Sequence, residues 1–411
     1  MINTIQREVS PVFLLEAVVN CSAQQRKILA IVTVDVMAWV LLRPWLTALR
    51  DRGFDVHIAC SRGTYFDRLA EAGFSVHAVS LRRTFNPLAH IRPAIQLIRL
   101  IRSQRFHVVN THSPVAAAVG RLAALVGGTE VIIYTVHGFY FHDRMPRIWR
   151  FLTTAVEWLL GRFTDAFMFV SAEDCQTAQR LGIAATNARV CTIYNGVDSE
   201  LFRPRNSADP AVRELRDRHG LAGAVVIGTV GRIVKEKGYR EFLAMAERLT
   251  AERINAKYLV VGDSLPSDRD QFGPRFRKMV ADAGLSGRFV FTGMTDRVAD
   301  YLAVMDIFVL ASYREGFPRS VLEAMAAGLP VVTTNIRGCR EAVENEVSGL
   351  IVEPADAGGL TAAVRRLVND PGERAEMGRK AREIAVNRYD FRLVRQRFAD
   401  FVEESVLDGL R

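Results

Sequence analysis

Seven residues separate two carboxylates in the segment Glu315-Gly-Phe-Pro-Arg-Ser-Val-Leu-Glu323. An apolar run, Ile307 to Ala311, precedes it and reads as a buried parallel strand. A helix-forming run, Val321 to Ala327, follows and stops at Gly328. Strand, Gly-containing turn and helix start place Glu315 at the carboxyl edge of a sheet, where ligands bind in open α/β folds. Pro318 suits the first helical position. The N–H groups of Arg319, Ser320 and Val321 would then face the turn, and a helix N-terminus favours an anion. Acids beside an anion site make sense for a ligand with both hydroxyls and phosphates, as in a nucleotide sugar. Taken alone, the same spacing also fits a capped helix with a solvated Glu at each end.

Other strand ends carry polar groups. Gly231-Arg232-Ile-Val-Lys-Glu-Lys237-Gly238 joins a strand to a helix, and its two cations suit a diphosphate. His137 follows a strand and precedes Gly138, which permits a tight turn. It could face a cleft or serve as a structural hydrogen bonder. Asn110-Thr-His-Ser113 is a second polar strand end, read as support for the cleft. Asp35, just past the first strand, could reach a second substrate or cap the next helix. Asp268-Arg-Asp270 has the form of a metal-binding DxD but sits in a polar loop, and is read as solvated surface. No His/Cys cluster has metal-ligand spacing. Hydrolase and NTPase signatures are missing too.

The elements that must position these groups alternate strand and helix twice over. At 411 residues the chain exceeds one ordinary core. Strands are expected near Lys27–Thr33, Asp55–Ala59, Val76–Val79, Val108–Asn110, Val131–Val136, Ala166–Val170 and Val190–Ile193. Phe202 to Asp209 reads as a linker. A second series follows at Val225–Val230, Lys257–Val261, Phe289–Thr292, Ile307–Leu310, Pro330–Thr333 and Gly349–Val352. Continuous apolar strands between helices imply doubly wound parallel sheets. Three helices from Leu360 onward close the chain.

Composition narrows the class. Hydrophobic content of 49% and charged content of 24% are those of a soluble globular protein. Five scattered cysteines without CxxC spacing fit a reducing compartment. No run is long enough for a membrane span. Val9 to Val19 is apolar but short and broken by Glu16, which argues against a signal peptide. The net charge of +9 is concentrated between residues 82 and 105, with six arginines and no acid. There Ala94, Leu97, Ile98 and Ile101 form one helical stripe, and Arg92 and Arg99 another face. Such a helix suits an anionic membrane surface, or a core-packed helix with a solvated basic side. Nucleic acid is disfavoured, because no aromatic interleaving accompanies the arginines.

The chain resembles the retaining family-4 glycosyltransferases of the GT-B fold, in the subgroup that builds capsular, exopolysaccharide or lipid-linked glycans. Asn195-Gly-Val-Asp198, Gly231-Arg232…Lys237-Gly238, Arg314-Glu315 through Glu323-Ala-Met-Ala-Ala-Gly, and Ile336-Arg-Gly-Cys-Arg-Glu341 carry the likeness. It implies two Rossmann-like domains facing a cleft. Residues 27–200, with the final helix 391–411 crossing back, would bind the acceptor, and 201–390 the donor. Residues 1–26 would be an extension. It implies a UDP- or GDP-sugar donor, a glycan or lipid-linked glycan acceptor, no cofactor and no metal. Glu315, Gly316 and Phe317 would meet the donor sugar, and Glu323 the ribose. Arg232, Lys237, Ser320 and Val321 would grip the diphosphate. Gly293 and Met294 would hold the base. His137 would join Glu315 in catalysis, and Asp35 and Tyr140 would contact the acceptor. A cytoplasmic site, peripheral to the membrane, is expected. The turn Val34-Asp-Val-Met-Ala38 departs from the Gly-rich turn of many relatives. A nucleotide-sugar 2-epimerase on the same fold and a non-catalytic sugar-binding subunit are the alternatives.

Overall fold

A computed structural model describes residues 26–408 apart from 83, 85, 142–144, 207, 266–267 and 269. The extension read at residues 1–26 lies, but for Arg26, outside the described residues. The first sheet contains β1 (Lys27–Val34), β2 (Asp55–Ser61), β3 (Ser75–Ala78), β4 (Val108–His112), β5 (Val131–Val136), β6 (Ala166–Phe169) and β7 (Arg189–Thr192). Its order is β3-β2-β1-β4-β5-β6-β7. The second sheet contains β8 (Val225–Val230), β9 (Ala256–Val261), β10 (Phe289–Phe291), β11 (Ile307–Leu310), β12 (Val331–Thr334) and β13 (Gly349–Val352), ordered β10-β9-β8-β11-β12-β13. The pairings are parallel. Central strands such as β4 and β12 are buried along their whole length, as sheets covered on both faces require.

In the second sheet the order reverses between β8 and β11, which pair through Ile227–Ile307 and Gly228–Phe308. Loops leaving two adjacent strands at such a reversal open a crevice between them. The loop after β8 is Gly231–Gly238, and the loop after β11 carries Glu315. Strand order therefore brings the two sequence motifs side by side.

Helices fill the connections: α1 (Arg43–Asp51), α2 (Phe66–Glu71), α3 (Ile91–Gln104), α4 (Pro114–Gly127), α5 (Arg147–Gly161), α6 (Ala172–Arg180) and α7 (Pro210–Arg218). They continue as α8 (Tyr239–Ala251), α9 (Phe272–Asp282), α10 (Val298–Leu302), α11 (Arg319–Ala326), α12 (Cys339–Ala342), α13 (Ala357–Asn369), α14 (Pro371–Tyr389) and α15 (Phe391–Asp408). Two of them begin with a local device of their own. Helical structure begins at Asp35, directly after β1, and passes through a π-helical stretch, Ala38–Leu42, in which the Arg43 N–H reaches back to the Ala38 carbonyl. Pro44 has no N–H, so the regular ladder must skip there and a wider turn absorbs the gap. Helix α7 follows at once on the segment read as a linker. Asp209 caps it through the Ala211 N–H (2.9 Å) with Pro210 in the first turn, a start signal present in the sequence.

Contacts cluster the chain into two units, one running through Ile133 with the chain from Val406, the other Tyr134–Ser405. In the first unit Leu29, Ile31, Leu97, Ile101 and Val109 share a core. The apolar stripe of α3 is thus packed, and Arg92, Arg99 and Arg102 face solvent. Thr111 and Ser113 knit strand ends there, donating to the Ile133 carbonyl (3.2 Å) and pairing with the Thr33 hydroxyl (2.8 Å).

In the second unit Ile227, Phe242, Val260, Val309 and Val332 belong to one core. Helix α15 starts beside Gly196 and sends Glu404 to Arg189 of β7 (2.6 Å). Arg382 of α14 donates from Nη1 to the carbonyls of Ser199 (2.8 Å), Phe202 (2.7 Å) and Ala326 (2.7 Å). One cation thereby closes the segment before α7 onto the end of α11. Arg382→Met keeps the stem and strands the three carbonyls. It should cost about 2–3 kcal/mol, measurable by urea unfolding, because charged hydrogen bonds of this kind are worth that much.

Candidate active site

The loop after β8 is held against β11 by Gly238. Its φ of +70° suits glycine, and an added Cβ would fall on the Ala311 carbonyl oxygen. This approach sets Lys237 beside the next strand end. Its Nζ donates to Glu315 Oε1 at 2.6 Å, and the Ser312 hydroxyl donates to the same oxygen at 2.7 Å. Both charged side chains are largely buried, at 18% and 12% exposure. The sequence places these groups 78 residues apart, and the sheet order makes them partners.

Arg232 pairs with Asp268 through Nη1 and keeps 39% of its side chain exposed. Asp268 also accepts the Leu265 N–H (2.7 Å), and Asp270 accepts the Lys235 N–H (2.7 Å). The reading of Asp268 and Asp270 as solvated surface is therefore corrected. Asp268 is buried, and both carboxylates fasten the cationic loop, a role that local polarity hides because the partners lie over 30 residues away. Among the described residues no cluster of metal-ligating side chains forms.

The segment proposed for a nucleobase joins the same edge. The Gly293 carbonyl accepts from the Gly262 N–H (3.1 Å) and the Thr292 hydroxyl (2.8 Å), and Gly262 abuts the Gly231 backbone. Met294 is exposed.

At the start of α11, Pro318 is the residue before the helix and Arg319 its first member. Pro318 keeps an extended ψ of 112°, so the helix begins one residue later than its proline suggests. The Val321 N–H turns back to the Pro318 carbonyl (3.2 Å) and is not free for a ligand, contrary to the sequence reading. Ser320 is half-buried in this first turn. Glu323 lies one turn on, and Arg319 approaches it at 3.4 Å. Burial pushes the Glu323 carboxyl above its ordinary range, and Arg319 partly opposes that. The Phe317 side chain packs with Tyr194 and Tyr389, while its carbonyl accepts Asn195 Nδ2 (2.7 Å). What Phe317 can offer a sugar is its backbone.

Three glycines let the walls meet. Gly316 lies under the His137 carbonyl, an added Cβ at Gly138 would come within 2.9 Å of Gly316 Cα, and Gly338 abuts the Gly316 carbonyl. A pocket forms around this crossing, lined in part by Gly138, Tyr313, Arg314, Glu315, Arg337 and Arg340. His137 keeps its Nδ1 buried, and burial pushes the imidazole down to about 3, so the ring is neutral at working pH. Tyr140 stands 5.8 Å below the Arg314 guanidinium. Asp35 belongs to the other unit. Its two oxygens accept the N–H groups of Val36 (2.8 Å) and Tyr65 (2.7 Å), so it holds a turn.

Sequence reasoning gave no role to Asp174 or Arg337, which pair inside this pocket. Burial raises the Asp174 carboxyl to about 6 despite Arg337. The segment Ile336–Glu341 was a signal for Arg337, whereas nothing local marked Asp174.

Chemically, the arrangement offers cations for a phosphate, carboxylates for hydroxyls and a neutral imidazole. The chain is similar to known glycosyltransferases. Residues 212–384 match the family model for glycosyl transferases group 1, and residues 41–201 that for glycosyltransferase family 4. The Escherichia coli UDP-Gal:alpha-D-GlcNAc-diphosphoundecaprenol alpha-1,3-galactosyltransferase is 26% identical over 78% of this chain and 82% of its own length. The Staphylococcus aureus capsular polysaccharide biosynthesis glycosyltransferase CapM is 25% identical over 90% of this chain and 95% of its own. The crystal structure of Anabaena HepE in complex with UDP and glucose superposes with a TM-score of 0.78 at 22% identity, over 92% of this chain and all of that one, and shares the fold. With two family models spanning both sheets and a cation–carboxylate crevice at the strand reversal, the chain belongs to the family-4 glycosyltransferases of the GT-B fold.

Proposed function

We propose that this enzyme moves a sugar from a nucleoside diphosphate to a growing glycan on a polyprenyl diphosphate, with retention at the anomeric carbon. The observation that carries the reading is the Lys237–Glu315 pair at the β8/β11 reversal, where a cation and an acid from two adjacent strand ends meet. Breaking the glycosyl–phosphate bond puts negative charge on the leaving diphosphate. Lys237 and Arg232 stand ready to stabilise it, helped by the positive end of α11 at Ser320. Glu315 and the backbone of Gly316 and Phe317 bind sugar hydroxyls, and Glu323 takes the ribose. The base rests near Gly293 and Met294. His137 hydrogen-bonds the transferred sugar as a neutral ring. The leaving phosphate oxygen takes the acceptor proton, so no separate base is called for. Residues 27–200, with the chain from 391 returning to them, take the acceptor through Asp35 and Tyr140, and residues 201–390 hold the donor.

The lipid-linked acceptor is supported by relatives such as the E. coli galactosyltransferase, whose name specifies a diphosphoundecaprenol substrate. That acceptor places the enzyme at the cytoplasmic face of the membrane. The exposed arginines of the 82–105 segment, Arg92, Arg99 and Arg102, suit long-range attraction to anionic lipid there.

The direct test incubates the protein with UDP- and GDP-sugars, with and without a polyprenyl-diphosphate-linked sugar. Glycan extension only when acceptor is present is expected; an epimerised nucleotide sugar formed without acceptor would establish the 2-epimerase instead.

Lys237→Ala should lower kcat by about two to three orders of magnitude, the scale for one preorganised charge. Full turnover in that variant would remove Lys237 from the diphosphate site.

A His137 ring held near 3 is protonated only in strong acid. Lowering pH from 8 to 5 should therefore produce no step at about 6.5, the ordinary histidine value, that His137→Asn abolishes. Such a step in kcat/KM would show an ionising His137.

A further inference from the structure

We infer that helix α5 is a membrane-docking element that lays an aromatic face into the interface of an anionic bilayer. The inference goes beyond the transfer reading and does not depend on it. Only a narrow side of α5 is buried, through Glu157, Leu160 and Gly161. Elsewhere Ile148, Trp149, Phe151, Leu152, Trp158 and Leu159 are exposed, with Trp149 at 59% and Phe151 at 71%. Water-facing apolar residues are ordinary when scattered, but a contiguous run of large ones marks an interaction surface. Phe163 and Leu181 extend the patch, since Trp158 lies beside the Gly182 turn and Arg162 donates to the Gly182 carbonyl.

Charge selects the occupant. Arg147 lies at one end of the face and Arg162 at the other, both exposed. The one acid of the helix, Glu157, is turned inward toward the Tyr134 hydroxyl (3.5 Å). The exposed surface of α5 therefore offers cations and apolar rings with no acid between them. A second copy of the chain packed on this helix would bring arginines toward arginines, with no carboxylate on the helix to pair them. Anionic lipid headgroups complement the exposed Arg147 and Arg162, and tryptophan and arginine both favour the depth where headgroups meet acyl chains. Among the described residues no helix is long and apolar enough to cross a membrane, so α5 lies in the surface and does not span it. Helix α3 differs, because its own apolar stripe is already spent on the core through Leu97 and Ile101. Its exposed arginines add attraction to lipid, and Ile91 and Ile95 are the large apolar side chains it leaves at the surface.

The test is sedimentation of the full chain with vesicles of phosphatidylcholine alone or with added phosphatidylglycerol. Binding to the anionic vesicles is expected, with tryptophan emission shifted to the blue and quenched by brominated acyl chains. Trp149→Glu with Phe151→Glu should weaken binding by about tenfold or more, since each exposed ring would otherwise leave water. Both sites are exposed, and an unchanged circular dichroism spectrum with unchanged turnover on a soluble acceptor analogue would show the variant folded. Arg92→Glu with Arg99→Glu should weaken binding less. The inference fails if the wild-type chain ignores anionic vesicles, if the α5 variant binds as tightly, or if binding leaves tryptophan emission unmoved. It also fails if the chain forms a dimer in solution that the α5 variant abolishes.

Discussion

Backbone meets backbone at Gly138, Gly316 and Gly338, and the geometry of the pocket follows from that contact. A side chain at Gly316 would occupy the place of the His137 carbonyl oxygen, and one at Gly338 that of the Gly316 carbonyl. The crossing thus fixes three polar stretches at van der Waals distance without any side chain between them. Glu315 precedes one glycine, His137 another, and Arg337 the third. Each functional group is one peptide unit from the contact, so its position inherits the rigidity of the backbone. Gly238 does the same for Lys237 by closing onto the Ala311 carbonyl. The backbone contact fixes where each side chain starts, and pairing holds its far end, Lys237 and Ser312 on Glu315 and Asp174 on Arg337.

The charges of the crevice are arranged as pairs. Lys237 meets Glu315, Arg232 meets Asp268, and Arg337 meets Asp174. Largely buried ions each carry a desolvation cost of several kcal/mol, and pairing offsets much of it. The pairs also differ in what they leave available. Asp174 is sealed, whereas Arg232 keeps a solvent-facing side and has more N–H groups than its bond to Asp268 uses. A phosphate can thus approach Arg232 without displacing the carboxylate that orients it. Glu315 retains its second oxygen for hydroxyls while the first is shared by Lys237 and Ser312. The acids beside these cations are what hold them in place.

This division explains what the sequence disclosed and what it hid. Strand and helix alternation was legible throughout, because parallel strands are uniformly apolar and the helices amphipathic. The placement of Glu315, Lys237 and Arg232 beyond strand ends was legible as well, since each follows an apolar run. Asp268 was misread, for burial of an acid depends on a cation 36 residues away and leaves no local trace. Asp174 was missed for the same reason: it sits in the first turn of α6, where an acid ordinarily serves the helix end. The π-helical stretch before α1 required knowing how the chain accommodates Pro44 once the helix has already begun. For both acids the hidden fact was a partner distant in sequence.

The contact boundary at Ile133/Tyr134 has a related cause. Strands β6 and β7 cluster with the chain that forms the second sheet because polar bonds tie them to it. Glu341 accepts the Ala172 N–H (2.6 Å) and the Ser171 hydroxyl, so a carboxylate from α12 caps the N-terminus of α6. Arg340 grips Glu173 in the same turn (2.6 Å), and Asn195 binds the Phe317 carbonyl. An acid at a helix N-terminus gains from the helix dipole as well as from its hydrogen bonds. A joint made this way differs from an apolar core in one respect. Water can replace each hydrogen bond in turn, and the exposed Arg340–Glu173 pair contributes little net stability. What makes the joint specific is the glycine crossing beneath it, which only one register of the two backbones satisfies. Polar bonds set the partners, and the missing Cβ atoms set the distance.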